Sequence, residues 1–96
     1  MKFDFVDKEF LEKFVNDSSI NVRRAAIKRT QRELLYLFAN DIDPAIRRVV
    51  AMDSKLNDVL NMDNDSDEVV QQILKARRED DEAQIEQLKK QVYEIL

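Results

Sequence analysis

The sequence predicts an all-α protein made of repeated helical units, and three observations lead to this prediction. The 96 residues include no glycine, whereas strand folds with tight turns usually need glycine at positive φ. Residues that favour helix are abundant, chiefly Lys, Glu, Gln, Leu, Ala and Arg. The dipeptide Asn-Asp recurs at a constant spacing of 24 residues, as Asn16-Asp17, Asn40-Asp41 and Asn64-Asp65.

The Asn-Asp dipeptide divides the chain into three units, residues 9–32, 33–56 and 57–80, which align without a gap. The aligned columns hold residues of similar chemistry, as in Leu11, Leu35 and Val59. Apolar residues at helical spacing before and after each dipeptide predict two helices per unit. The third unit diverges most, and it has Gln71-Gln72 where the others have two arginines.

The first helix of each unit is predicted from its apolar spacing and the polar residues before it. Asp7 is the expected cap in the first unit. In the second unit, Thr30-Gln31-Arg32-Glu33 fits a capping box. The first helices of units two and three are short enough to be partly 3₁₀.

The second helix of each unit should begin just after the Asn-Asp dipeptide. In unit two, Pro44 would occupy the first helical position, where proline is favoured. The expected N-caps are Ser18 or Ser19 in unit one, Asp43 in unit two, and Asp65 or Ser66 in unit three.

The segment from Asp67 to Leu96 contains neither proline nor glycine, so it predicts one long helix, or two with a weak point at 78–82. Its last part carries a short coiled-coil seam of two heptads, formed by Ile85, Leu88, Val92 and Ile95. These four residues are the expected oligomerisation surface of a homodimer. The alternative is that the helix folds back and covers the end of the repeat array.

The repeated pattern of Asn-Asp, then Val-Arg or Ile-Arg, then paired small apolar residues resembles HEAT-like repeats. The 24-residue period is most similar to the leucine-rich repeat variant, over residues 9–76. The resemblance implies a short right-handed α-α solenoid of three repeats over residues 1–76. Residues 77–96 would then extend the last helix for oligomerisation or capping. The chain departs from that variant in having few loop prolines and no cysteine cluster, so no cluster-binding role is implied.

The resemblance also assigns a structural role to the repeated Arg and Asp residues. In such solenoids the Asp of one unit commonly pairs with the Arg of its neighbour. Carried over, Arg23 would pair with Asp41, and Arg47 with Asp65. Gln71 has no downstream Asp, which is consistent with its loss of charge.

A second set of cations is the candidate partner-binding site, because these side chains are expected to point to solvent. The set consists of Arg24, Lys28, Arg29, Arg32 and Arg48. They form either a plain solvated face or a basic stripe for an acidic protein segment. A phosphate backbone is the less favoured ligand, since no aromatic residues are interleaved and the chain carries a net charge of −4.

The composition excludes several kinds of chemistry. Histidine and cysteine are both absent, which rules out Ser–His and Cys–His nucleophiles, thiolate and imidazole metal sites, and disulfides. The run 63–67 mimics the start of a calcium loop, but Glu68 stands where that loop needs glycine. We therefore expect no catalytic residues, no cofactor and no metal. No secretory signal or membrane-spanning run is apparent, so a cytoplasmic location without membrane association is expected.

The sequence thus favours a non-catalytic adaptor or inhibitor that binds another protein through its helical-repeat surface. Chains of this size are common among small regulatory proteins of phages and mobile elements, and a small-molecule substrate is not expected. Two alternatives remain open at this point. One is a nucleic-acid-binding protein that uses the basic stripe, and the other is a structural subunit that assembles only with itself.

Overall fold

The computed structural model describes residues 8–96, apart from the side chain of Leu60. The described chain is helical throughout and contains no strand, so the all-α prediction is confirmed. Five α-helices and two 3₁₀ helices follow one another: α1 Lys8–Val15, α2 Ile20–Lys28, the first 3₁₀ helix Arg32–Phe38, α3 Pro44–Asp53, the second 3₁₀ helix Leu56–Asn64, α4 Glu68–Arg78 and α5 Glu82–Ile95.

The elements pack in chain order around α3. Helix α2 packs against α3, and α3 packs against α4. Helix α1 contacts α2 and the first 3₁₀ helix, and both 3₁₀ helices contact α3. Each 24-residue sequence unit therefore contributes two helical elements to one continuous apolar core.

The core is centred on α3, where Ile46, Val50 and Ala51 are fully buried. One connected cluster of buried apolar side chains runs from α1 to α5. Its largest fully buried members are Leu11, Ile27, Phe38, Ile46, Val50, Val59, Val70, Ile73, Leu74 and Val92. These side chains follow the aligned apolar columns of the sequence, because equivalent columns face the same interior.

The first elements of units two and three are 3₁₀ helices, as their short apolar spacing predicts. The predicted capping box before the first of them is wrong. Thr30 Oγ1 instead donates to the carbonyl of Ala26 at 2.8 Å, and so closes the end of α2. Gln31 occupies the cap position without a side-chain hydrogen bond. The predicted cap Asp7 lies outside the described residues.

Two of the three second helices begin as predicted. Ser19 accepts a hydrogen bond from the Val22 amide, and Asp43 accepts one from the Ala45 amide with Pro44 following. A short polar side chain with extended backbone satisfies an amide that the first helical turn leaves unpaired.

The third cap is a correction, because it is Asp67 rather than Asp65 or Ser66. Asp67 accepts from the Val70 amide at 3.0 Å. Asp65 has another role two residues earlier, where its carboxylate accepts from the Asp67 amide at 2.8 Å. The same local turn joins Asp41 to Asp43 at 2.8 Å.

The C-terminal segment is two helices with a break at residues 79–81, as in the second of the two predicted forms, which corrects the single long helix and the extension of the last helix over residues 77–96. Helix α4 ends at Arg78 and α5 begins at Glu82. Between them Asp80 adopts φ 54°, in the left-handed region that ends a helix. Asp tolerates this conformation better than most residues, which lets the chain reverse without glycine.

Helix α5 folds back onto α3 and α4 of its own chain. Leu88 is 3 % exposed and Val92 is 1 % exposed. These two side chains therefore pack against α3 and α4 of the same chain, as in the alternative that the helix folds back, and the homodimer stays a prediction. Ile85 is partly buried against the core, whereas Ile95 is 52 % exposed.

None of the helices within residues 8–96 combines the length and the apolar character that crossing a bilayer requires.

Candidate functional site

Two sets of ion pairs join neighbouring sequence units, and we call them the first and second arginine ladders. In the first ladder Arg23 Nε donates to Asp41 Oδ2 at 2.8 Å, and Arg47 Nε donates to Asp65 Oδ2 at 2.9 Å. These are the pairs that the resemblance to HEAT-like repeats implies. Each arginine also reaches back within its own unit, where Nη1 donates to the carbonyl of Asp17 or of Asp41 at 2.8 Å.

Gln71 occupies the place of these arginines in the third unit. Its Nε2 donates to the Asp65 carbonyl at 2.8 Å, which repeats the contact that Arg47 makes with Asp41. A neutral amide can make this contact but offers no cation to a following carboxylate. The substitution therefore keeps the half of the interaction that lies inside the unit.

The second ladder is formed by Arg24 and Arg48, two of the expected partner-binding residues. Arg24 Nε donates to Asp43 Oδ2 at 2.8 Å, and both Nε and Nη2 of Arg48 donate to Asp67 at 2.8 Å. Both arginines are therefore held within the chain instead of pointing freely to solvent. They bind the N-cap carboxylate of the next second helix, which is Asp43 for Arg24 and Asp67 for Arg48.

The protonation of the second ladder follows from its hydrogen bonds. Burial favours the neutral form of Asp43, but bonds from Arg24 and from the Ala45 amide outweigh it and lower the pKa of this carboxyl. The hydrogen bond from Arg48 lowers the pKa of Asp67, against a smaller effect of burial. The same bonds raise the pKa of both guanidinium groups, so the pairs stay charged at neutral pH.

A groove with a volume of about 580 Å³ lies between α5 and the elements from α2 to α3. Four cationic side chains line it, Lys28, Arg32, Arg77 and Lys89, together with one carboxylate, Asp53. The groove thus carries a net charge of +3 in a chain whose total is −4, which leaves −7 for all other residues. The groove is therefore positively charged on a protein whose net charge is negative.

The floor of this basic groove is formed around the C-terminus of α3. Arg77 donates to the carbonyls of Ala51 and Ser54, each at 2.6 Å, and Arg32 Nε donates to the Asp53 carbonyl at 3.1 Å. Cations suit this position because the last carbonyls of a helix carry partial negative charge. Burial lowers the pKa of Arg77, and the neighbouring charge of Arg32 lowers it further.

Among residues 8–96, Asp53 is the one acidic side chain that lines the basic groove. Burial raises the pKa of its carboxyl, although the charges of Lys89, Arg77 and Arg32 act in the opposite direction. Arg77 and Arg32 donate hydrogen bonds to backbone carbonyls at the end of α3. The positive charge of these two groups is therefore only partly balanced.

Apolar side chains also line the basic groove. Ile85 and Tyr93 project from the same face of α5 as Lys89, since the three residues are spaced four apart. Tyr93 is 46 % exposed. The other apolar lining residues are Ile27, Leu35, Val49, Met52 and Leu96.

The expected basic stripe is thus divided among different surroundings. Lys28 and Arg32 line the basic groove, Arg29 is exposed outside its lining, and Arg24 and Arg48 belong to the second ladder. The sequence reading missed Arg77 and Lys89, because their place in the groove depends on how α5 folds back. Within residues 8–96, carboxylates do not gather in threes in a way that could hold a metal ion.

Comparison with known proteins bears on the first helix pair. Residues 8–28 match a family model described as a HEAT repeat associated with sister chromatid cohesion. No curated protein and no solved structure matches the chain significantly. The matched segment spans α1 and α2, so it supports HEAT-like repeats and is consistent with a helical-repeat protein that takes part in protein interactions.

Proposed function

We propose that the chain is a short α-α solenoid of three HEAT-like repeats, closest in period to the leucine-rich repeat variant and closed at one end by α5. Its function is that of a non-catalytic adaptor or inhibitor, which binds an acidic surface of another protein. The basic groove carries this proposal, because it concentrates a net charge of +3 beside apolar walls in an otherwise acidic chain. Such a surface attracts an oppositely charged partner and disfavours an equally acidic one.

The arginine ladders support a binding role by keeping the surface rigid. Buried ion pairs contribute more to the relative positions of the units than to net stability. A groove whose floor and walls are already ordered loses little entropy when a partner docks.

Two neighbouring lysines on α5 provide the test. Lys89 lines the basic groove, whereas Lys90 is exposed outside its lining. Tagged wild-type protein should capture a stoichiometric partner from nuclease-treated lysate of the source cell, and Lys89→Glu should lose that partner while Lys90→Glu keeps it. Equal recovery with both variants would contradict binding through the basic groove.

The nucleic-acid alternative has less support, since in the described part of the chain Tyr93 is the one aromatic side chain that lines the basic groove. Self-assembly has less support as well, because α5 already uses Leu88 and Val92 within the chain. Both alternatives are checked in the same preparation. Capture that depends on nucleic acid would favour the first, and a mass above that of the monomer in light scattering would favour the second.

A further inference from the structure

We propose that the basic groove takes one short acidic segment of a partner protein, and that the segment anchors itself with a single large apolar side chain. This inference rests on the proposed function and names the chemistry of the partner. It follows from three features of the groove: its length, its charge and its apolar walls.

The length of the basic groove limits the size of the segment. Ile85 and Leu96, which mark its extent along α5, are 11 residues apart, or about 16 Å at the helical rise of about 1.5 Å per residue. That distance accommodates roughly three turns of helix, or about five residues of extended chain. The occupant is therefore a short linear segment rather than a broad domain surface.

The charges of the basic groove define the polar part of the segment. The ammonium groups of Lys28 and Lys89 carry compact and strongly hydrated charges, which contact carboxylates without a fixed geometry. Arg32 and Arg77 already use donors on the end of α3, and each guanidinium has five N–H groups in total. A segment with three carboxylates would balance the net charge of +3.

The apolar walls define the rest of the segment and distinguish it from other polyanions. Tyr93 is exposed, and Ile85 and Leu96 are only partly buried, so these side chains offer apolar surface that a phosphate backbone or a run of carboxylates alone would leave uncovered. A Leu or Phe side chain placed among the carboxylates would cover it, as in helix-in-groove recognition.

The most continuous acidic run of the chain does not fit this description. Residues 79–82 are all acidic, and they are followed by Ala83 instead of a large apolar residue. That run of a second copy therefore lacks the anchor. We assign the basic groove to a different protein, and light scattering with and without the peptide distinguishes this occupant from a second copy.

Fluorescence anisotropy with synthetic peptides tests the assignment on the full chain. The probe is a labelled twelve-residue peptide with three glutamates around a central leucine. One control peptide has serine in place of leucine, and another has lysines in place of the glutamates. We expect the first peptide to bind, the serine control to lose about tenfold in affinity through loss of one buried leucine side chain, and the lysine control not to bind.

Protein variants locate the bound peptide. Lys89→Glu should lower the affinity for the acidic peptide by about tenfold, and Lys90→Glu should lower it by less than about twofold, because only the first variant reverses a charge inside the groove. Asp53→Asn should strengthen binding, since it raises the net charge of the groove from +3 to +4. Tyr93→Ser should weaken binding while the helical signal in circular dichroism stays unchanged.

Several results would overturn the inference. The first two are equal affinities for the leucine and serine peptides, and equal effects of the two lysine variants on peptide affinity. The third is tighter binding of a twelve-nucleotide single strand than of the acidic peptide. The fourth is a dimer in light scattering that the peptide dissociates. If the acidic peptide fails while Lys89→Glu still loses the cellular partner, the inference fails and the proposed function stands. If Lys89→Glu still binds both the acidic peptide and the cellular partner, the inference and the proposed function both fail.

Discussion

Replacing Leu88 by alanine should remove a large share of the protein's stability, because this side chain is 3 % exposed between α5 and its own core. The substitution deletes three carbon groups, which at about 0.8 kcal/mol each amount to about 2.4 kcal/mol of transfer free energy. The remaining cavity raises the expected loss in the free energy of unfolding to about 3–4 kcal/mol. A chain of this length has in total about 5–14 kcal/mol.

Urea unfolding followed by far-UV circular dichroism measures this loss, and Ile95→Ala is the matched control. Ile95 belongs to the same sequence seam but is 52 % exposed, so its replacement should cost less than about 1 kcal/mol. Both measurements are made at two protein concentrations. Equal losses for the two variants, or a midpoint that rises with protein concentration, would mean that α5 packs against a second copy and would refute the reasoning.

Three further predictions concern the polar groups of the interior. Arg23→Ala should lower the free energy of unfolding by about 3–5 kcal/mol, because it leaves the buried carboxylate of Asp41 without its cation. The control Arg78→Ala, on the exposed pair with Asp63, should lower it by less than about 1 kcal/mol. Similar losses for the two variants would contradict the structural role of the first ladder. The lowered pKa values of Asp43 and Asp67 contribute stability that is fully present above the unfolded-state pKa of about 3.9 and is lost as the pH falls through the lower folded-state values. Urea unfolding at pH 7, 4 and 3 should show this decrease, and unchanged stability at pH 3 would oppose it. Ser54→Ala should raise the melting temperature, with a gain of up to about 1 kcal/mol, because the buried Ser54 hydroxyl has no hydrogen-bond partner among the described residues; destabilisation would indicate a partner such as bound water.

Much of the local structure could be predicted from the sequence, because the same pattern of residues occurs in each of the three units and each unit supports the same prediction. Two of the three second-helix caps and the short 3₁₀ helices follow from residue type and spacing. The third cap was misassigned although Asp67 lies 24 residues after Asp43 and 48 after Ser19. Alignment of the cap column would have identified it.

The second ladder also left a signal in the sequence. Arg24 and Asp43 are 19 residues apart, and so are Arg48 and Asp67. The helical-wheel argument placed these arginines toward solvent, because it considers one helix at a time. A neighbouring helix brings its N-terminal carboxylate to that side, and this is a tertiary effect that a single-helix projection omits.

The basic groove could not be predicted, because it depends on the path of the chain after α4. The apolar face of α5 is satisfied equally well by a second copy or by the chain's own core, and composition does not distinguish these outcomes. Asp80 decides the direction by adopting φ 54°. Lys89 and Arg77 meet Lys28 and Arg32 only after that reversal.

The ladders also bear on how such a protein could grow. A middle unit carries both partners, since Asp41 accepts from the unit before it and Arg47 donates to the unit after it. Duplicating those 24 residues would therefore insert a unit that finds a matching ion pair on each side, without any new mutation. Gln71 is neutral at the position that corresponds to Arg47, so an additional unit after the third would first require a change of charge, whereas Asp17 already offers the carboxylate that corresponds to Asp41. The number of repeats is thus easier to change by internal duplication than by addition after the third unit.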